Sequence, residues 1–295
     1  MKRNNIISNK KKPLLKGWIR ALLIIIPFLV FTGVLQIIGR LLLGLNPQTE
    51  PTFVETTVIH GINAIGTLLL VFIFTRYLDR KKFKSIGFKR NYAGDIDYII
   101  EILLGIIIGS LIITLGAFIL IVLNEVKVTE IEFNLPNVLI SMTFFAFVAI
   151  NEEILMRGYI LNNFLQSMNK YLALVLSSLI FALLHLLNPS FNLMGFISIL
   201  FAGMLLGFFY IHTKSLWFAL VLHFCWNFFQ GTIFGFKVSG NPTYSIISQH
   251  PVKNNILNGG EFGFEGSIFS PIFIAIAILV IWWIFIRKPK NDLDD

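Results

Sequence analysis

The chain of 295 residues is 56% apolar and only 14% charged, with a mean hydropathy of +0.77. Soluble domains carry roughly a quarter charged residues, so this composition excludes an ordinary soluble globular protein and points to a membrane protein. The single cysteine, Cys225, excludes an intramolecular disulfide framework, and the net charge of +8 suits either nucleic acid or anionic lipid.

Eight apolar stretches, judged against the ~20 residues that a spanning helix needs, follow one another along the chain. They cover 18–43, 57–77, 98–123, 137–157, 171–187, 193–211, 216–234 and 268–286. The first is too long for a cleavable leader and lacks a small-residue cleavage site. No repeat of fixed period and no low-complexity segment is present. A basic connection at 79–97 and a Gly-, Asn-, Ser- and Pro-rich connection at 235–267 separate the apolar stretches.

With the N-terminus placed in the cytoplasm, only Arg40, Lys127, Lys237 and Lys253 fall on the far side, and the other 20 of the 24 Lys and Arg face the cytoplasm. So strong a bias is the positive-inside signature, with both termini cytoplasmic. The basic residues then read as topology determinants against anionic headgroups, and nucleic acid drops out as a partner. The expected fold class is an all-α polytopic membrane protein of about eight transmembrane helices with an internal polar active-site cavity. Its regions are helices one to three with basic segments (1–136), four catalytic helices (137–234), and an outer loop, last helix and tail (235–295). The bias toward Lys, Asn, Ile and Phe resembles that of AT-rich Gram-positive bacteria, so the expected location is a bacterial plasma membrane. Gly105/Gly109, Gly203/Gly207 and Gly231/Gly235 have the spacing that lets membrane helices approach closely.

Polar residues inside the spans need a partner or a wet cavity. Span four carries Asn151, Glu152, Glu153 and Arg157. Glu153 and Arg157 are four apart, acid before base, the favourable order for a same-face ion pair. Glu152 lies about 100° around the helix and has no such partner. Span five holds Phe181 and His185, again four apart, and span seven holds His223 and Asn227. On three helices of one bundle these groups most economically face each other across a cavity.

Two chemistries suit them. Glu152, His185 and His223 could supply the two-His, one-carboxylate ligand set of hydrolytic zinc. Equally, Glu152 could activate water, oriented by one histidine, while His223 and Asn227 stabilise an oxyanion. No His-Glu-x-x-His motif and no Gly-x-Ser-x-Gly elbow is present. Hydrolysis by water is thus favoured over covalent catalysis.

Glu152-Glu153-x-x-x-Arg157, Phe181-x-x-x-His185 and His223-x-x-x-Asn227 resemble, in order, the three motifs of the CaaX protease and bacteriocin-processing family. These are intramembrane endopeptidases similar to the Ras-converting CaaX prenyl endopeptidase, and the resemblance covers about 137–234. It implies Glu152 as the base that activates water and Glu153 as a supporting acid paired with Arg157. It also implies His185 as positioner of the water or of a metal, and His223 with Asn227 as the oxyanion-stabilising pair. Phe181 and Trp226 become candidate substrate contacts. The family has been described both as metal-dependent and as metal-free, so zinc stays open as a cofactor. The implied substrate is a hydrophobic or membrane-bound peptide, and the implied settings are bacteriocin processing, immunity or peptide-signal processing. The alternatives are a non-catalytic immunity or scaffold protein of the same fold and a proton-coupled transporter. A scaffold does not need so many buried ionisable groups, and the halves lack the matched broken helices of a transporter.

One conflict of depth arises. Straight helices bounded as above put Glu152 near the cytoplasmic end of span four and His185 near the outer end of span five. They meet if span four continues to about residue 167, or if span five begins deeper than 171; a site reached from the cytoplasm favours the first. His60 and Asn63 are expected to bond between helices, His212 and His250 to be solvated, and Trp18, Trp217, Trp282 and Trp283 to anchor at the interfaces.

Overall fold

The computed structural model describes residues 12–88 and 98–287. Lys2, Arg3, Lys10, Lys11, Lys89, Arg90, Lys288 and Lys290 lie outside the described residues, as do both termini.

All eight apolar stretches are helical. The first is two helices, α1 (Gly17–Leu23) and α2 (Ile25–Leu42), joined at Ile24. Helix α3 (Phe53–Tyr77) starts four residues earlier than hydropathy indicates, because Thr52 and Glu55 form a reciprocal capping box. Then come α4 (Tyr98–Val122), α5 (Leu135–Glu153) and, after a π-helical stretch over Ile154–Leu161, the single turn α6 (Asn162–Phe164). Helices α7 (Lys170–Leu184) and α8 (Leu193–Thr213) follow. Helix α9 (Trp217–Asn227) passes into a second π-helical stretch, Phe228–Ile233. The last helix, α10 (Phe269–Ile281), also ends in π-helical turns.

Among the described residues, five helices are long and apolar enough to cross a membrane: Gly17–Leu42, Phe53–Tyr77, Tyr98–Val122, Leu135–Phe164 and Leu193–Thr213. Lys170–Leu184 and Phe269–Phe285 are shorter apolar helices, and α9 is shorter still. Of the eight expected spans, five thus reach full spanning length among the described residues, and three are shorter apolar helices. The chain is an integral membrane protein of mostly helical structure, but it is not all-α. Strand β1 (Val126–Ile131) pairs antiparallel with β2 (Ile247–Pro251), Lys127 opposite His250, with an irregularity between Val128 and Glu130. The alternation in Val126-Lys127-Val128 was the available signal; the partner strand lies too far along the chain to pair by eye.

Helix directions give the bundle a near end, where α1 begins and α3, α6 and α8 finish, and a far end, which holds the sheet and the connection after α9. Close approaches follow two of the three glycine pairs. A Cβ on Gly105 or Gly109 of α4 would stand 3.0 or 2.7 Å from the Leu222 backbone of α9. On Gly203 it would stand 2.9 Å from Ser178 of α7. The third pair differs: Gly231 faces the side chains of Thr243 and of Phe145 on α5, and Gly235 turns the chain at φ +66°.

At the near end Arg20, counted from sequence as a headgroup-facing charge, is only 1% exposed. It is ion-paired with Asp79 at the foot of α3 and donates to Gln166 Oε1 at 2.9 Å. Asp79 also accepts from Tyr159 (3.3 Å) and Asn163 (3.2 Å). The Tyr159 hydroxyl is the donor in its bond to that carboxylate. The network ties α1, α3 and α6 into one base.

Candidate active site

Helix α5 carries Glu152 and Glu153 at its last two positions, so successive side chains point about 100° apart. Glu153 is fully buried and takes Arg157 Nη1 at 2.6 Å, the same-helix pair that its spacing dictates. Arg157 is held further by the Gly203 carbonyl at 3.2 Å and by the Phe181 ring, whose centroid is 4.5 Å from the guanidinium carbon. The chain turns π-helical at Ile154, immediately after the glutamates, and again at Phe228, immediately after Asn227. Such wide turns recur at functional sites, where they re-aim side chains.

The depth conflict resolves through length. The α5 segment continues unbroken to Phe164, so Glu152 sits mid-bundle rather than at the near end. His185 caps the short α7 at φ −92°, ψ −1°. Its Nδ1 lies 2.8 Å from the Phe181 carbonyl, one turn back. A carbonyl can only accept, so Nδ1 carries the proton and Nε2 presents a lone pair. His223 repeats the arrangement across helices, with Nδ1 2.8 Å from Glu153 Oε1. The Arg157 pair keeps Glu153 an acceptor, so here too Nδ1 donates and Nε2 is left free.

Both Nε2 atoms face the other glutamate. Glu152 Oε2 lies 3.8 Å from His185 Nε2 and 3.8 Å from His223 Nε2. That is beyond a direct hydrogen bond, and Oε2 has no protein partner. The two neighbouring glutamates thus differ: Glu153 takes both Arg157 and His223 on Oε1, whereas the nearest ring nitrogens stand 3.8 Å from Glu152 Oε2.

These groups border a cavity of about 740 Å³. Glu152, Phe181, His185, His223, Trp226 and Asn227 all line it, whereas Glu153 and Arg157 stand behind the wall. Phe181 is 5% exposed and packs against Arg157, His185 (4.7 Å between centroids) and His223 (6.3 Å). Its contacts go to the site's own residues while it lines the cavity. Trp226 is likewise buried, with its ring 6.3 Å from Phe264.

Zinc lacks a ready ligand set in this arrangement. Ligands on one tetrahedral zinc at ~2.0–2.1 Å are about 3.3–3.4 Å apart; the 3.8 Å spacings are wider. Among the described residues no group of three or more His, Cys, Asp or Glu is disposed to hold a metal.

Further residues border the cavity, some named from sequence (His60, Asn63, Asn151) and some, on the connection after α9, not. His60 and Asn63 on α3 line it, and His60 bonds within its own helix, Nδ1 to the Thr56 carbonyl at 2.9 Å, rather than between helices. Asn151 accepts from Thr67 and lines the same wall. Ser239, Asn241, Thr243 and Glu265 come from the connection after α9. Glu50, Pro51, Asn188, Asn241 and Pro242, all on far-end connections, also line it.

Fold and site together define a helical membrane protein with a carboxylate–imidazole centre on an internal cavity. Residues 134–229 match the family described as type II CAAX prenyl endopeptidase Rce1-like. The resemblance drawn from the three motifs is borne out over this stretch, which runs from the start of α5 past Asn227 and contains every motif residue. Helices α1 to α4 and the connection carrying Glu265 lie outside it. No curated protein and no solved structure matches the chain.

Proposed function

We propose that the protein is an intramembrane endopeptidase that hydrolyses a peptide bond of a hydrophobic or membrane-bound peptide with water activated by Glu152. The observation that carries this reading is the convergence of Glu152 Oε2, free of protein partners, on two imidazoles whose Nδ1 protons are already committed. A water hydrogen-bonded to Glu152 spans gaps of this size. Glu152 takes one water proton while the oxygen attacks the scissile carbonyl, and His185 Nε2 accepts the second hydrogen bond and fixes the direction of attack. The proton on Glu152 then passes to the leaving amine as the C–N bond breaks, which restores the carboxylate. Asn227 and His223 serve the oxyanion. With Nδ1 bound to Glu153, His223 can donate from Nε2 only as imidazolium, and the Glu153 carboxylate stabilises that cation.

Arg76, Arg80, Lys82, Lys170 and Lys214 mark the near end and Arg40, Lys127, Lys237 and Lys253 the far end. By the positive-inside rule the near end faces the cytoplasm, and the far-end connections that line the cavity then face outward. A substrate would arrive from the outer leaflet or the exterior.

The decisive experiment compares wild type and Glu152→Gln, reconstituted in liposomes, on hydrophobic test peptides. Cleavage is expected only from wild type, with both proteins equally folded; cleavage by the variant at the wild-type rate overturns the reading. Labelling of Asn241→Cys in intact cells by a membrane-impermeant maleimide tests the orientation, and protection from the reagent reverses it.

A further inference from the structure

Glu265 belongs to none of the three motifs, yet it lines the cavity from the far-end connection and is 8% exposed. One oxygen, Oε2, accepts from the Ser239 N–H (2.8 Å) and hydroxyl (2.6 Å). These two bonds hold the carboxyl in place without neutralising it. His185 and His223 lie within its electrostatic range and favour its charged form. Burial pushes the Glu265 carboxyl up, and the Ser239 bonds oppose that shift.

Among the described lining residues, Glu50, Glu152 and Glu265 are carboxylates and none is Lys or Arg. Lys237, from the same connection as Glu265, is engaged by Glu261 and does not line the cavity. A second, separate sign comes from α3. Asn63 is 4% exposed and lines the same cavity, and its Oδ1 is buried without a partner. A buried acceptor left unmet is costly, as is a buried carboxylate without a cation. Both costs fall if the occupant brings N–H donors and a positive charge.

We infer that Glu265 is a specificity-determining residue, selecting peptides that carry a positive charge, as a Lys or Arg side chain or a free amino terminus, close to the scissile bond. Glu50, on a far-end connection, steers the same group inward, and Asn63 accepts from it or from the adjoining peptide N–H. This inference rests on the peptidase reading for its substrate, while the cation preference itself is a binding property.

The test uses full-length protein in liposomes and hydrophobic peptides identical except for Lys, norleucine or Glu beside the scissile bond, each with a free or acetylated amino terminus. Wild type is expected to prefer the cationic peptide by about tenfold or more in kcat/KM, the size of a charge-assisted hydrogen bond. Glu265→Gln keeps the Ser239 bonds and is expected to erase that preference through KM, leaving cleavage of the acetylated norleucine peptide unchanged. The free and acetylated arms tell a side chain from an amino terminus. Equal use of Lys and norleucine peptides by wild type, or an equal loss on all peptides in Glu265→Gln, overturns the inference. Binding of the same peptides to Glu152→Gln separates the two claims: a cation preference that Glu265→Gln abolishes there supports the inference even without turnover, and its absence sinks it.

Discussion

Two buried polar clusters lie along the axis of this molecule, and they are built to opposite rules. At the near end Arg20, Asp79, Tyr159, Asn163 and Gln166 bond chiefly to one another, away from the cavity that the glutamates border. At mid-depth Glu152, His185, His223 and Glu265 border about 740 Å³ of open space, and the functional oxygen of Glu152 is without a protein partner. A closed cluster is a joint: it fixes α1 against α3 and α6. An open one keeps its hydrogen-bonding capacity for whatever enters. Glu153 and Arg157 stand between the two kinds, paired with each other while Glu153 also orients His223 toward the open cluster.

Several substitutions would break or sharpen this contrast. The largest effect is expected from Glu152→Gln, a loss of about 10³- to 10⁴-fold in kcat for removal of the base, measured by peptide cleavage, with unchanged thermal unfolding in detergent. Asp79→Asn should do the reverse. Leaving Arg20 buried and unpaired costs about 3–5 kcal/mol of stability, while turnover per folded molecule stays at the wild-type value. If instead Asp79→Asn lowers kcat and leaves unfolding alone, the near-end cluster is not a joint.

Gly109→Ala probes the packing that brings α9, and with it His223 and Asn227, to the site. The new Cβ would stand 2.7 Å from the Leu222 carbonyl oxygen, and overpacking of this kind costs about 1–3 kcal/mol. Both unfolding temperature and kcat should fall, because the clash lies on the helix that carries two site residues. An unchanged kcat would show that α9 can shift without disturbing them.

The smallest effect concerns Lys237–Glu261, an exposed ion pair on the far-end connection. Lys237 and Asn254 hold the Glu261 carboxyl below the ordinary range. A depressed carboxyl contributes stability at pH above its unfolded value and loses it as pH falls through the folded one. The contribution is at most about 1 kcal/mol, read as a shallow acid-side drop in unfolding temperature that Lys237→Gln removes. A steep drop would mean that the connection over the cavity depends on this pair far more than its exposure suggests.

Much of the site could be read in advance because its elements are local. Glu153–Arg157, Phe181–His185 and His223–Asn227 are all four apart, and a helix places such residues on one face wherever it sits. Thr52 and Glu55, whose capping box starts α3, carried an equally local signal. Glu265 offered none: it is a lone carboxylate between Phe264 and Gly266, and only the packing of its turn against α8 and α10 brings it to the cavity. The Arg20–Asp79 pair joins residues 59 apart, and from sequence Arg20 looked like one more charge at the headgroups.

Composition, the order of apolar helices, the basic bias toward one end and the three motif pairs were all present in the linear chain, since hydropathy and helical spacing act over a few residues. The partner of each glutamate outside its own helix, the depth of Glu152 and the presence of a further carboxylate depend on distances between segments far apart in the chain. Packing sets those distances: close approach at glycines, the unbroken 30-residue α5 segment, and the fold-back of the far-end connection.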